Sequence, residues 1–258
     1  MKRRQLLRYT STSLLTLLTT TLLAGKQKTV SAQANALTIK WLGHSCFLFT
    51  GGGMRVLVNP FRPIGCTAGY RPPQVQAEIV AISSYLFDEG AAENLPGNPR
   101  VLFNPGDYKY KNTIFKGISI AHDRLGGKRF GNNIAWRWQQ AGLSILHLGG
   151  AAAPIAIEQK ILMGSPDIVL VPVGGGDKNY NAAEAIEAIK ALNPKLVIPT
   201  QYLTAAADQS NCNIAPVDEF IQLAQGMQVK KIASDTITVR RQDLPQAGTL
   251  VKVLSYRF

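Results

Sequence analysis

The fold of this chain is decided by the stretch Glu78-Ile79-Val80-Ala81-Ile82-Ser83-Ser84-Tyr85-Leu86-Phe87-Asp88-Glu89-Gly90. Its first half is continuously apolar, which is typical of a strand that is covered on both faces. Its second half ends in two adjacent carboxylates and contains no histidine. The stretch therefore predicts a buried strand, over 78–83, that delivers polar side chains to one edge of a sheet.

Outward from this stretch, short apolar or alternating runs bounded by turn residues predict further strands. They lie at 37–42, 46–50, 54–58, 101–103, 112–121, 132–138, 143–148, 167–173, 195–199, 236–240 and 250–254.

Helices are predicted at 155–163, 181–192 and 216–225, the second with Asn181 as N-cap and Glu184 at the capping-box spacing. Strands come early, and helices alternate with strands late. This order predicts a single domain over 35–258 of the α/β (α+β) class, with two facing sheets and helices outside them, a four-layer αββα sandwich.

Residues 1–34 are predicted to be an export signal and are left out of the fold. Arg3 and Arg4 in a basic start resemble a twin-arginine signature, and an ordinary secretory signal with a chance arginine pair is the alternative. The apolar stretch 14–24 is too short to cross roughly 30 Å of hydrocarbon. We expect an exported protein of the periplasm or thylakoid lumen, with no transmembrane segment in the mature chain. The predicted cleavage site is Ala32-Gln33-Ala34, with Ala34-Asn35-Ala36 as a shifted alternative.

The charge of the chain excludes one class of partner. The chain has 28 basic and 16 acidic residues, for a net charge of +12. Residues 1–34 hold six of the basic residues and no acid, so the remainder carries 22 and 16, a net charge of +6. This excess is scattered, without a basic stripe interleaved with aromatic residues, so no nucleic acid is expected as a partner. The partner classes that remain are a small molecule and another protein.

The cysteines are few and odd in number. Cys46 alternates inside an apolar strand and is predicted to be a core residue. Together with Cys66 and Cys212 it is expected to stay reduced if folding precedes export. One disulfide with a thiol left over is the alternative.

Several short motifs follow one another along the chain in a definite order. They are Leu42-Gly43-His44-Ser45, Val58-Asn59-Pro60, Ala121-His122-Asp123, His147-Leu148-Gly149-Gly150, Val171-Pro172-Val173-Gly174-Gly175 and Pro199-Thr200-Gln201-Tyr202. Each is weak alone. In this order, over residues 37–202, they resemble the metallo-β-lactamase fold superfamily, in particular its L-ascorbate-6-phosphate-lactonase-like branch.

The resemblance implies two zinc ions that share a hydroxide, which attacks a carbonyl or phosphoryl group. The family's seven ligand positions fall on Ser84, Leu86, Asp88, Glu89, His122, Gly150 and Gln201. Only Asp88 and His122 keep the family's residue types, and they belong to different metals. The zinc centre is therefore predicted to be degenerate, with no cofactor expected.

The remaining polar residues are predicted to line one end of the sandwich. This candidate pocket comprises His44, Ser84, Tyr85, Asp88, Glu89, His122, Asp123 and Gln201. His147 is predicted to be a hydrogen-bonded strand residue, and 174–176 a tight turn rather than an anion cradle.

Two hypotheses follow, and whether the chain is an enzyme stays open between them. One is a non-catalytic protein that binds a small molecule or a protein partner in the emptied cleft. The alternative is a hydrolase of lactones or phosphoesters. It would act through a metal-free site, or through one zinc or other divalent metal held by His44, His122 and Asp88 or Glu89.

Overall fold

A computed structural model describes residues 35–256, so the predicted export signal, 1–34, lies outside the described residues. The strands of the described part are β1 (Ala36–Gly43), β2 (Cys46–Gly51), β3 (Met54–Val58), β4 (Ile79–Ala81), β5 (Arg100–Leu102), β6 (Gly106–Tyr110), β7 (Thr113–Ala121), β8 (Asn132–Gln140), β9 (Leu143–His147), β10 (Ile168–Pro172), β11 (Leu196–Thr200), β12 (Gln228–Lys231), β13 (Thr236–Arg240) and β14 (Leu250–Val253).

These strands form two sheets. The first has six strands in the order β13-β1-β2-β3-β4-β5, and the second has eight in the order β12-β14-β11-β10-β9-β8-β7-β6. Strands β9, β10 and β11 run parallel, and β7 joins them through the antiparallel strand β8, so all four end at the same edge of the second sheet. This edge carries the polar residues that matter below.

The burial of each strand explains why its sequence forms it. Every residue of β4, β9, β10 and β11 is buried. The apolar runs of β4, β10 and β11 predict this, whereas β9 also buries Ser144 and His147. Strand β1 instead alternates, with Leu37, Ile39 and Trp41 pointing inward. Strands β6 and β12 escaped prediction because they are mostly exposed and polar.

Three helices complete the described part: α1 (Ile157–Met163), α2 (Ala182–Leu192) and α3 (Val217–Leu223). The capping box of α2 is confirmed, since the Glu184 amide donates to Asn181 Oδ1 at 2.9 Å and the Asn181 amide donates to Glu184 Oε2 at 2.8 Å. Helix α1 packs on β7, and α2 packs on β10 and on α3. The predicted fold class is confirmed: an α/β protein with two sheets and few helices.

None of the helices within residues 35–256 has the length and hydropathy that a membrane crossing requires.

Aromatic rings and one amide join the two sheets. Trp138 on β8 packs edge-on against Phe49 on β2, with 4.9 Å between ring centroids. Gln140 on the same strand is buried, and its Nε2 donates to the carbonyl oxygens of Gly51 at 3.0 Å and Met54 at 2.8 Å. Its Oε1 accepts from Trp138 Nε1 at 3.0 Å. A buried amide whose donors and acceptor are all used ties the sheets together in one register.

The prediction of three reduced cysteines was wrong. Cys66 and Cys212 form a disulfide across 146 residues of sequence, and Cys46 is free and buried in the core as predicted. The loops that carry the two bonded cysteines lie side by side, because Asp208 donates its amide to the Gly65 carbonyl at 2.9 Å. The spacing of the cysteines in the sequence contains no trace of this long-range contact.

His147 is a second polar link between the sheets. Its Nε2 lies 3.0 Å from the carbonyl oxygen of Ser45, and its Nδ1 accepts the Gly149 amide at 3.0 Å. These two bonds select the neutral imidazole that carries its proton on Nε2. The prediction of a hydrogen-bonded strand residue is confirmed. Burial lowers the pKa of His147 to about 4, against the opposing effects of the bond to Ser45 and the charge of Glu89.

The lowered pKa of His147 predicts an acid-sensitive fold. The unfolded chain binds the proton near the usual value of 6.5 and the folded chain only near 4, so the free energy of unfolding falls as the pH drops between these values. From pH 7 to pH 5 this contribution amounts to about 2 kcal/mol. Denaturant unfolding at both pH values should show that His147→Gln loses clearly less free energy of unfolding between pH 7 and pH 5 than the unsubstituted protein does. The glutamine keeps a donor and an acceptor but does not titrate. An equal loss of unfolding free energy in both proteins would contradict the assignment of the acid sensitivity to His147.

Candidate functional site

The candidate site lies where strands from both sheets end. Strand β4 of the first sheet leads into Ser83–Glu89, β7 into His122, β9 into Gly149 and Gly150, and β11 into Gln201. The amide of Ile134 donates to the Ser83 carbonyl at 2.8 Å, so the continuation of β4 reaches the second sheet. The strand ends thereby bring the family's ligand positions to one place.

Two asparagines hold these strand ends together. Asn59 is fully buried, and its Oδ1 accepts the Ser83 amide at 2.9 Å. Its Nδ2 lies 3.4 Å from Ser45 Oγ. Asn133 plays the same part on the second sheet, because its Oδ1 accepts the Gly150 amide and its Nδ2 donates to the Leu148 carbonyl, both at 2.8 Å. The side-chain amides of these two asparagines therefore fix the position of the backbone in the site.

At the centre is a group that we call the Glu89 cluster: Ser84, Glu89, His122 and Gln201. Gln201 Nε2 donates to Glu89 Oε1 at 2.6 Å, and Ser84 Oγ donates to Glu89 Oε2 at 3.2 Å. His122 Nε2 lies 3.5 Å from Glu89 Oε1. Glu89 and His122 have no exposed side-chain surface. The cluster thus places a carboxylate, enclosed by protein, among three of the family's ligand positions.

The Glu89 carboxylate is ionised although it is buried. Burial alone would raise its pKa, but the adjacent imidazole of His122 and the charges of Lys178 and His44 outweigh this effect. The pKa of Glu89 therefore lies below its usual range.

Gly150 shows how little room the centre has. A Cβ atom at this position would lie 2.3 Å from His122 Nε2 and 2.4 Å from Glu89 Oε1. The resemblance places the bridging aspartate of a dinuclear centre at Gly150. In this chain the space for such a side chain is taken by Glu89 and His122.

Above the cluster, the chain supplies its own cation. Lys178 Nζ donates to Asp88 Oδ2 at 2.8 Å, and both side chains are about three quarters or more buried. His44 lies beside them, and burial lowers its pKa against the opposing charges of Asp88 and Glu89. Lys178 escaped the sequence analysis, since it lies outside the family's ligand positions. The only signal was its place directly after the turn Gly174-Gly175-Gly176-Asp177, where Gly175 and Gly176 have φ angles of 72° and 74°.

A cleft of about 760 Å³ opens over this ion pair. Its lining includes His44, Phe87, Asp88, Lys178, Asn179 and Asp208. The disulfide forms part of one wall through Cys66.

The structure divides the predicted pocket into three groups. His44 and Asp88 line the cleft. Ser84, Glu89, His122 and Gln201 form the cluster beneath it. The remaining two residues, Tyr85 and Asp123, lie outside both groups.

Tyr85 and Asp123 are occupied elsewhere. Tyr85 is 71% exposed and packs on Phe103. Asp123 accepts four backbone amides of the loop that follows it, from Phe130, Arg129, Gly127 and Leu125. These hydrogen bonds lower the pKa of Asp123 to about 2, so the residue orders a loop rather than facing a ligand.

These residues do not fit a dinuclear zinc centre. Gly150 and Leu86 offer no donor atom, and the Asp88 carboxylate is held by an ammonium group. Among residues 35–256, no three histidine, cysteine or carboxylate side chains converge as metal ligands do. A hydrolytic step that runs through two zinc ions therefore has no support from the donor set.

Comparison with known proteins gives relatives named for hydrolysis. The chain is 25% identical over 195 residues to a UPF0173 metal-dependent hydrolase of Thermoplasma acidophilum, which covers 65% of this chain and 84% of that protein. A second UPF0173 metal-dependent hydrolase, from Hyperthermus butylicus, is 28% identical over 199 residues and covers 64% and 83%.

Solved structures share the fold. A Thermotoga maritima protein, assigned to the Zn-dependent hydrolases of the metallo-β-lactamase superfamily, superposes with a TM-score of 0.66 at 28% identity, over 84% of this chain and 98% of that one. The metallo-hydrolase Igni18 of Ignicoccus hospitalis gives 0.58 at 16% identity, over 80% and 99%.

The family model of the β-lactamase superfamily domain matches residues 38–201. This span contains most of β1, the whole of β2 to β11 and all four residues of the Glu89 cluster. The names of these relatives do not address the lactonase-like branch, which stays a prediction. The model covers more than half of the sequence, and the chain belongs to the metallo-β-lactamase superfamily.

Proposed function

We propose that this protein is a non-hydrolytic member of the superfamily that binds a small molecule in the cleft, with its own side chains filling the former metal centre. The observation that carries the proposal is the position of Glu89 Oε1, 2.4 Å from the point where a Cβ at Gly150 would lie. A carboxylate of the chain thus fills the space for the bridging ligand.

The charges of the site support the same conclusion. A metal pair would bring positive charge to these strand ends. Here Lys178 supplies it to Asp88, and Gln201 and Ser84 supply hydrogen bonds to Glu89. A buried carboxylate with these partners is stable without a metal ion.

A second candidate function is hydrolysis through one metal ion. The names of the relatives favour it, and so do several buried atoms without a hydrogen-bond partner among the described residues: both ring nitrogens of His122 and Oε1 of Gln201. His122, with Glu89 as the second ligand, would hold such an ion, which would supply a polarised water molecule.

Export completes the proposal, with the periplasm or thylakoid lumen as destination. Residues 1–34 carry the pattern described above, and the Cys66–Cys212 disulfide suits an oxidising compartment. Amino-terminal sequencing of the protein from its native source should show a mature chain that begins directly after Ala34. A native protein that begins at Met1 would contradict export.

The metal content separates the two candidate functions. Protein purified from its native compartment without chelator or affinity tag should contain less than about a tenth of a zinc, iron or manganese ion per chain by plasma mass spectrometry, because the donor set is too poor for tight binding. His122→Ala should show the same low content. A near-stoichiometric metal that is lost in His122→Ala would establish the hydrolase reading instead.

The packing at Gly150 tests the central observation directly. Gly150→Ala should lower the free energy of unfolding by about 1–3 kcal/mol, the usual cost of overpacking a core. In a Glu89→Ala background the same change should cost at least about 1 kcal/mol less, because coupled neighbours are not additive.

The control for this cycle pairs Gly150→Ala with the exposed Tyr85→Ala, where the two effects should add. Additive effects of Gly150→Ala and Glu89→Ala in denaturant unfolding would show that Glu89 does not fill this space.

A further inference from the structure

The most exposed apolar side chains of the described part lie together on helix α1. Ile157 is 75% exposed and Ile161 is 73% exposed, the largest fractions among the large apolar side chains of residues 35–256. They are four residues apart, so they are neighbours on one face of the helix. Leu162, which follows Ile161, is also exposed. A contiguous apolar surface that is open to water marks an interaction site.

The helix that carries these residues is held firmly. Its opposite face is attached to the second sheet, because Met163 is buried and Gln159 Nε2 donates to the Ser119 carbonyl at 2.8 Å. Gln159 Oε1 also accepts the Ala156 amide at 2.8 Å, which closes the first turn of the helix. The two isoleucines are therefore presented on a fixed helix.

A groove of about 500 Å³ lies beside this face, between the segment that leads into α1 and helix α2. Pro154 and Ile155 form one side of the groove, and Ala183, Ala188 and Ala191 form the other. The small alanine side chains leave room for a larger apolar side chain from another molecule.

The groove keeps its shape without a ligand. Tyr180 lines it and is buried. The Tyr180 hydroxyl donates to the Ala153 carbonyl at 2.5 Å, and the Tyr180 amide donates to the Ala151 carbonyl at 2.8 Å. These bonds tie the segment before α1 to the segment before α2. A preformed surface loses less conformational freedom when it binds a partner.

The charges around this surface have both signs. Glu158 and Lys160 lie on α1 and form no ion pair within residues 35–256. On α2, Glu187 lines the groove and is paired with the exposed Lys190 at 2.8 Å. A surface of mixed charge meets a copy of itself without net repulsion. Helices that lie on membranes carry mostly lysine and arginine on their polar face, so the charges favour a second copy over a lipid surface.

We propose that this surface joins two copies of the chain in a symmetric dimer. The exposed isoleucines lie beside the groove, so a twofold axis places Ile157 and Ile161 of each copy in the groove of the other. Such a self-complementary arrangement is what a twofold interface requires. The groove and the cleft share no lining residue, so the dimer is independent of the proposed function.

The size of the surface sets the strength of the dimer. The largest apolar patch of a monomer covers about 300–600 Å². Two copies of a patch at the upper end of this range bury about 1,000 Å², which is the lower limit for a specific interface. The expected dimer is therefore reversible, with a dissociation constant of about 10 μM.

Sedimentation velocity on the mature, disulfide-bonded protein, over about 1–200 μM, should show a monomer that becomes a dimer as the concentration rises. Ile161→Glu and Ala191→Lys should each raise the dissociation constant at least tenfold. Ala191→Lys keeps the helix stable, because the new ammonium group lies four residues after Glu187. The matched control is Tyr85→Glu, since Tyr85 is as exposed as Ile161 but follows β4 of the first sheet. It should leave the dissociation constant unchanged, and thermal unfolding would verify that every variant is folded.

Three outcomes would overturn the inference. The first is a monomer over the whole range of concentration. The second is a dimer that either Ile161→Glu or Ala191→Lys leaves unchanged, because the isoleucine would then not lie in the groove. The third is flotation of the protein with vesicles of phosphatidylcholine and phosphatidylglycerol in equal parts, lost in Ile161→Glu, which would assign the surface to a membrane.

Discussion

The buried negative charge of Glu89 is the constraint on which this end of the sandwich depends. A carboxylate without solvent access is tolerated only when hydrogen bonds and opposite charges surround it. Here Gln201, Ser84, His122 and Lys178 provide them, and each comes from a different strand end or loop. The loops therefore cannot shift independently, because any movement would leave the charge exposed to an apolar interior.

The scaffold around this charge does not need a metal to hold its shape. Asn59 and Asn133 tie the strand ends through backbone amides and carbonyls, and Asp123 gathers four amides of its own loop. The one bond that reaches a lost metal-ligand position, from Gly150 to Asn133, uses the backbone amide and so does not depend on the side chain there. The ligand positions could therefore change while the framework stayed intact, which explains how a superfamily fold persists with an altered centre.

Most of the fold could be predicted from the sequence, because local patterns determine it. Apolar runs identify β4, β10 and β11, and Asn181 with Glu184 marks the start of α2. The exposed strands β6 and β12 lack such a pattern. The disulfide joins loops 146 residues apart and has no local signature at all.

The site was harder to predict for a related reason. Comparison with the family's ligand positions identifies which residues changed, including Glu89 and Gln201. It does not show that these two bond to each other at 2.6 Å or that the centre is closed. Lys178 and Asn179 lie on a loop outside those positions, so only the three-dimensional structure connects them to the cleft.

The sign of the charge in the cleft decides whether the family's chemistry carries over to this chain. Two divalent ions would make the floor strongly positive and would attract phosphate or carboxylate groups, whose charge they stabilise during hydrolysis. In their place the chain has a single ammonium group, already paired with Asp88, above a buried carboxylate. At separations of a few ångströms in a partly buried site such charges interact by several kcal/mol. An anion in this cleft would thus lack the attraction that two divalent ions provide in a metallo-hydrolase.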